Sequence, residues 1–195
     1  MKYVVSRYNH DASWLSDYTD DVVMYDRSDE PLDTAIRVSN IGSDIYDKFT
    51  YIIDNYDNLP DVAVYTKCNL FKYISQEEFD TVKDSKTFTP LLTRHHKTEM
   101  PISYYTSDGM YNEMNNRWYL EHHKAKRAEE LFNLLGLKEK EYLAFAPGSN
   151  YILPKENILQ HSKEHYLTLR EFLEYDVYPG EAQIMERGLY YLWKN

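Results

Sequence analysis

Two polar clusters hold the side chains best suited to chemistry. Arg7-Tyr8-Asn9-His10-Asp11 follows the β-branched run Tyr3–Val5, and Asp26-Arg27-Ser28-Asp29 follows Val22–Tyr25. Guanidinium groups neutralise anions, whereas carboxylates and carboxamides hydrogen-bond hydroxyl groups. Both runs have the composition of strands, and the segment between them is a short amphipathic stretch carrying Trp14, Leu15 and Tyr18. This is a strand–loop–helix–strand unit with polar residues at both strand ends, where an open α/β sheet binds ligands. The same Asn and Asp residues are also good turn-formers, able to bond their own backbone.

Other chemistries find little support. Gly148 and Gly180 stand alone, so neither a P-loop nor a dinucleotide fingerprint can be drawn. No Ser sits in a nucleophile elbow, and one cysteine, Cys68, gives no zinc spacing and no internal disulfide. His95-His96 and His122-His123 are adjacent pairs, and neighbours do not share a helix or strand face. No metal site is assigned.

The 22 basic and 32 acidic residues leave a net charge of −10. Only Lys124-Ala125-Lys126-Arg127 approaches a basic run, and Glu129-Glu130 follows it at once, so nucleic acid and anionic membrane surfaces are disfavoured partners. No window reaches the ~18 apolar residues of a membrane span, and the N-terminal apolar stretch is too short for a signal peptide. These features point to a soluble, cytoplasmic protein of one domain, residues 1–195. Tyrosine is abundant, with 20 residues against 7 Phe. It suits clefts for polar, ring-shaped ligands and equally suits half-buried packing.

The elements that must position these residues follow from periodicity. A helix is expected from Ser43, with Asp44 and Asp47 in its first turn and Ile45, Phe49, Ile52, Ile53 and Tyr56 on one stripe. Val62–Tyr65 is a third strand, parallel to its predecessor by a right-handed crossover. Ser75-Gln76-Glu77-Glu78 is a capping box ahead of another helix. Residues 84–116 form a long irregular excursion of the kind that serves as a binding loop. Trp118–Leu135 reads as one helix stopped by Gly136, Tyr142–Ala146 and Tyr151–Leu153 as short strands, Ser162 to Leu173 as a helix, and Pro179 as the start of the last.

The runs VVSRYNHD and DVVMYDRSD resemble the opening of the nucleotide-binding half of GT-A glycosyltransferases. RYNHDASWL, SNIGSD, YIIDNYDNLPDVAVY, DGMYNEMNNRWYL, FAPGSNYILPKENIL and PGEAQIMERGLYYLW together are similar to a glycosyltransferase-like family of large algal viruses, phages, bacteria and fungi. The resemblance implies a single-domain α/β fold of GT-A type, a mixed and mostly parallel sheet with helices on both faces. It implies transfer of a sugar from a nucleotide sugar to a glycan or other hydroxyl acceptor, in the host cytoplasm if the chain is viral. By that resemblance Asn9 and Asp11 line the nucleotide pocket, Asp26 bonds the ribose or base, and Asn40 and Gly42 lie where a helix begins beneath the nucleotide.

One departure stands out. Where GT-A enzymes carry an Asp-x-Asp for a divalent ion, this chain has Thr66-Lys67-Cys68-Asn69, which lacks the oxygen-rich ligands that Mg or Mn requires. Either the enzyme works without metal, or a carboxylate elsewhere supplies the site, or the protein is a non-catalytic glycan- or nucleotide-binding relic. Without metal, a cation must neutralise the departing diphosphate; Lys67 leads, followed by Arg7 and Arg27. The family pattern puts a general base near a helix start in the C-terminal half, which Glu181 fits, with Asp108 second. Trp118 and the tyrosines at 104, 105, 111 and 119, Tyr105 among them, can stack on a sugar acceptor or simply pack the irregular segment. A hydrolase built on Asp17, Asp20, Asp21 and Asp26 has no repeating ligand pattern behind it.

Overall fold

The computed structural model describes residues 1–93, 99–101, 103–106, 109–112, 116–137 and 142–194, with side chains described outside 94–117, 138–142 and 195. The β-branched runs form strands β1 (Lys2–Arg7), β2 (Val22–Asp26) and β4 (Val62–Lys67), with a two-residue edge strand β3 (Ile36–Arg37). Later in the chain come β5 (Thr89–Pro90), β6 (Glu99–Pro101), β7 (Ser103–Thr106), β8 (Gly109–Asn112), β9 (Tyr142–Ala144) and β10 (Tyr151–Pro154). The main sheet has the order β3-β2-β1-β4-β10-β5. Its β1–β2, β1–β4 and β2–β3 pairings are parallel, and β10 runs antiparallel to both β4 and β5. The sheet is therefore mixed, as expected.

Side-chain alternation along each strand divides the core between two faces. Val4, Tyr25, Ala63, Tyr65, Tyr151 and Leu153 bury into one cluster, and Tyr3, Val5, Met24, Val64 and Ile152 into the other. The first face is covered by α1 (Ser43–Asp54), α4 (Ala128–Leu134), α6 (Lys163–Glu171) and α7 (Gly180–Trp193). The second carries α2 (Gln76–Val82) and short 3-10 turns at Ser13–Asp17 and Leu70–Lys72. The remaining described helices are α3 (Asn116–His122) and α5 (Lys155–Ile158). Most tyrosines in these clusters act as core aromatics, Tyr65, Tyr119, Tyr151 and Tyr166 being fully buried.

Several local signals act as the sequence implies. Ser75 and Ser162 accept the Glu78 and His165 backbone N–H groups and so cap α2 and α6. After α4, Gly136 adopts φ +62°, and the Leu137 N–H returns to the Phe132 carbonyl at 3.0 Å, closing the helix in the usual left-handed manner. The single helix expected over Trp118–Leu135 is instead two. The chain leaves α3 at His123, Lys124 takes φ +58°, and the Ala125 N–H reaches back to the Tyr119 carbonyl at 3.1 Å. The start of α7 dictates this break. A Cβ on Gly180 would stand 2.5 Å from the Ala125 nitrogen and the His123 oxygen, so the glycine lets α7 lie directly against the turn.

Chain order around β1 decides where a site can form. From β1 the chain moves outward to β2 and β3, then crosses through α1 to β4 on the opposite side of β1. The order thus reverses between β1 and β4, and a crevice opens beyond their carboxyl ends. Register brings the ends level: Arg7 lies opposite Asp26 and Ser6 opposite Lys67.

Candidate functional site: a cationic cleft at the sheet's switch point

An open cleft of about 560 Å³ occupies this crevice. Arg7, Arg27 and Lys67 contribute to its lining, together with Asn40, Ser43 and Asp44 from the entry to α1 and the rings of Tyr8, Tyr73 and Tyr178. Tyr8 and Tyr178 are 41% and 69% exposed. Gly42 makes the entry possible. It takes φ +70° where an added Cβ would stand 2.7 Å from Tyr46, and its N–H bonds the Asp176 carbonyl at 2.8 Å, pinning the start of α1 against the loop before α7.

Each cation is held by a carboxylate below. Arg7 Nη1 donates to Asp26 at 2.5 Å and to Ser28 Oγ at 2.9 Å, and its Nε donates to the His10 carbonyl at 2.9 Å. Arg27 is buried, donating to Asp47 and to the Ile41 carbonyl at 2.8 Å. Lys67 Nζ is 3.0 Å from Asp44 Oδ1 and 5.6 Å from the Tyr73 ring centre. Asp44 also bonds Lys48, a fully buried lysine that donates to Ser149 Oγ at 3.2 Å, and Ser149 donates to Asp44 in turn. The loop after β9 delivers Ser149 and Asn150. It uses positive φ at both Gly148 and Ser149, is tied by Glu186 accepting the Gly148 N–H at 2.7 Å, and sets Asn150 Oδ1 2.9 Å from the Lys67 backbone nitrogen.

Electrostatics follow from this packing. Burial alone would raise the Asp44 carboxyl, but Lys48 and Lys67 outweigh it and hold the group far below the usual carboxylate range. Burial likewise opposes the Lys67 charge, and Asp44 more than restores it, so its ammonium is held above the ordinary lysine value. Asp47 behaves oppositely: burial pushes its carboxyl up to about 6 despite Arg27. The folded chain thus holds that proton more tightly than the unfolded one. Its stabilising contribution is complete below about pH 4 and lost as pH rises through about 6, a span of about 3 kcal/mol. A carbon-13 carboxyl titration should find the Asp47 midpoint near 6, and Asp47→Asn should flatten stability between about pH 4 and 6; an ordinary midpoint near 4 would refute this.

The structure brings some expected residues together and removes others. Arg7, Arg27, Lys67 and Asn40 all line the cleft. Asp26 does not: it is fully buried, its carboxylate accepting from Arg7, from the Ser28 N–H and hydroxyl, and from the Leu32 N–H. Burial pushes that carboxyl up, but those bonds outweigh it and keep the group below its usual range. Asp26 is the hub of the loop after β2, with no lone pair to offer a ribose. Asn9 is exposed at φ +54° and turns the chain. Asp11 accepts the Ser13 N–H and hydroxyl at 3.0 and 2.6 Å, starting the 3-10 helix, and lines a neighbouring groove instead of the cleft. Turn formation won at both positions.

Glu181 is corrected as well. It is fully buried, accepting the Arg127 N–H at 2.6 Å and the Tyr175 hydroxyl, and does not line the cleft. Its carboxylate is engaged in holding the start of α4. Trp118 stacks on His122 at 5.1 Å and packs edge-on against Tyr119, outside the cleft lining. Asp108 and the side chain of Tyr105 lie outside the described residues.

Sequence reasoning missed Lys48, Ser149, Asn150, Tyr73 and Tyr178, and read Asp44 and Asp47 only as first-turn charges. One signal was present: Asp44, Asp47 and Lys48 share a second face of α1 at i, i+3 and i+4, beside the apolar stripe, and opposite charges at that spacing can pair when the face is buried.

The residues at the end of β4 do not suit a divalent ion. Thr66 and Asn150 bond each other at 3.1 Å, Lys67 supplies a cation, and Asp44 is engaged by two lysines. Among the described residues no group of three His, Cys, Asp or Glu is placed to hold a metal, and no helix is long and apolar enough to cross a membrane.

Fold and site together define an α/β protein with a cationic, tyrosine-rimmed cleft at the switch point of a mixed sheet. The chain belongs to the family described as "Protein of unknown function (DUF3431)", which matches residues 3–195. No curated protein and no solved structure matches it.

Proposed function

We propose that this chain binds a nucleotide sugar in the switch-point cleft and transfers the sugar to a hydroxyl acceptor, in the manner of a GT-A-like glycosyltransferase. The observation that carries the reading is the convergence of Arg7, Arg27 and Lys67 on one crevice beyond β1 and β4. A diphosphate is the ligand that such a cation set recognises. Tyr8 and Tyr178 offer exposed rings for a base or sugar, and Asn40 offers a carboxamide for hydroxyl groups. In this reading Lys67 neutralises the departing diphosphate at the position of the absent Asp-x-Asp. With Glu181 committed elsewhere, Asp108 is the candidate base.

A second reading, binding without turnover, also has an observation behind it. Among the described residues Asp44 is the one acidic side chain lining the cleft, and two lysines hold it ionised. A proton acceptor works best with a pKa near the operating pH, which Asp44 does not have.

Thermal shift and calorimetry against UDP-, GDP-, dTDP- and CMP-sugars, with and without manganese, test both readings. A cognate donor at a hundred times its Kd should stabilise the fold by about 2.7 kcal/mol, and Lys67→Met should weaken binding by about tenfold to a hundredfold. Slow release of free nucleotide supports transfer, and binding with no release supports the second reading. Indifference to every donor removes both.

A further inference from the structure

Two ammonium groups share one carboxylate beneath the cleft. Arg7 and Arg27 each have a carboxylate of their own, Asp26 and Asp47, whereas Lys48 and Lys67 divide Asp44 between them. The surplus positive charge of the cleft therefore belongs to the Lys48–Asp44–Lys67 trio. Its two lysines are not equivalent. Lys48 is entirely buried and bonds Asp44 Oδ2, the same oxygen that accepts from Ser149. Lys67 bonds the other oxygen, Oδ1, with a quarter of its side chain exposed on the cleft wall.

We infer that Lys48 is a positioning residue: it remains as the permanent counter-ion of Asp44 so that Lys67 can turn from Asp44 to the phosphate of an entering ligand. This rests on the phosphate-binding reading above and says how that cleft meets its cost. A buried carboxylate left without a cation is heavily penalised. With Lys48 and Ser149 on Oδ2, the departure of Lys67 from Oδ1 leaves Asp44 still neutralised and still hydrogen-bonded. Were Lys67 the sole counter-ion, every binding event would have to break the only ion pair of a buried acid. Lys48 thus acts on the ligand without touching it.

Calorimetric affinity for inorganic pyrophosphate and for UDP, corrected for the folded fraction, separates this role from a purely structural one. Lys48→Met should weaken pyrophosphate binding by about tenfold or more, because Lys67 is then confined to Asp44. Asp44→Asn should strengthen it several-fold, roughly as expected for releasing a cation, and the double variant should return close to wild type. Damage to the fold would instead lower affinity in both single variants. Folded Lys48→Met binding like wild type, or Asp44→Asn binding worse, overturns the proposal while leaving the phosphate reading intact. Where Lys48→Met does not fold, Asp44→Asn and the double variant decide by the same signs. Wild-type indifference to pyrophosphate and UDP overturns the phosphate reading and this inference with it.

Discussion

Asp26→Ala should destabilise the protein by about 4 kcal/mol, the cost of removing one partner from a buried ion pair. Four hydrogen bonds converge on that carboxylate, from Arg7 at 2.5 Å, the Ser28 hydroxyl at 2.6 Å, and the Ser28 and Leu32 N–H groups at 3.0 Å each. Alanine strands the Arg7 guanidinium, only 13% exposed, and two backbone donors with it. In a chain of 195 residues the midpoint of thermal unfolding should fall by roughly 10 °C. Chemical denaturation should show the same loss with little change of slope. A ribose-binding Asp26 predicts the reverse: full stability and a selective loss of nucleotide affinity. A variant that unfolds within about 2 °C of wild type, well inside the expected shift, would sink the structural assignment.

Glu181→Ala carries the second large effect, about 3 kcal/mol. Its carboxylate is fully buried and accepts the Arg127 N–H at 2.6 Å together with the Tyr175 hydroxyl. Losing it leaves the Arg127 N–H and the hydroxyl of Tyr175, itself 37% exposed, without their acceptor, at about 1 kcal/mol for each lost bond, and the emptied, fully buried side-chain site adds a cavity cost of about 1–2 kcal/mol. Hydrogen exchange should locate the damage at residues 123–134, where α4 begins, with the cleft of Arg7 and Lys67 unaffected. Glu181→Gln, which keeps one acceptor, should recover about half of the loss. If Glu181→Ala remained fully stable yet abolished sugar transfer, the role of catalytic base would have to be restored to it.

Both residues show what kind of information a local pattern omits. Asp26 and Glu181 were conspicuous as carboxylates at a strand end and a helix start, positions that suit catalysis. Equally, a carboxylate there serves as an acceptor for backbone N–H groups that secondary structure leaves unpaired. Which outcome holds depends on what packs over the residue. For Asp26 it is the Ser28–Leu32 loop folding back. For Glu181 it is Arg127, 54 residues earlier in the chain.

The strands β1, β2 and β4, the amphipathic α1, the Ser75 and Ser162 caps, the Gly136 stop and the start of α7 after Pro179 were all legible from residue order, because each arises from neighbours within a few positions. So was the edge of the sheet at which Arg7, Arg27, Asn40 and Lys67 gather. Tertiary structure alone decided that Lys48 of α1 meets Ser149, 101 residues later, that β10 inserts beside β4 in the opposite direction, and that the helix expected over Trp118–Leu135 breaks where Gly180 rests on it. Periodicity reports which face of an element is apolar. It carries no record of which distant group will neutralise a charge on that face, since desolvation and pairing are settled only when the two elements close over each other.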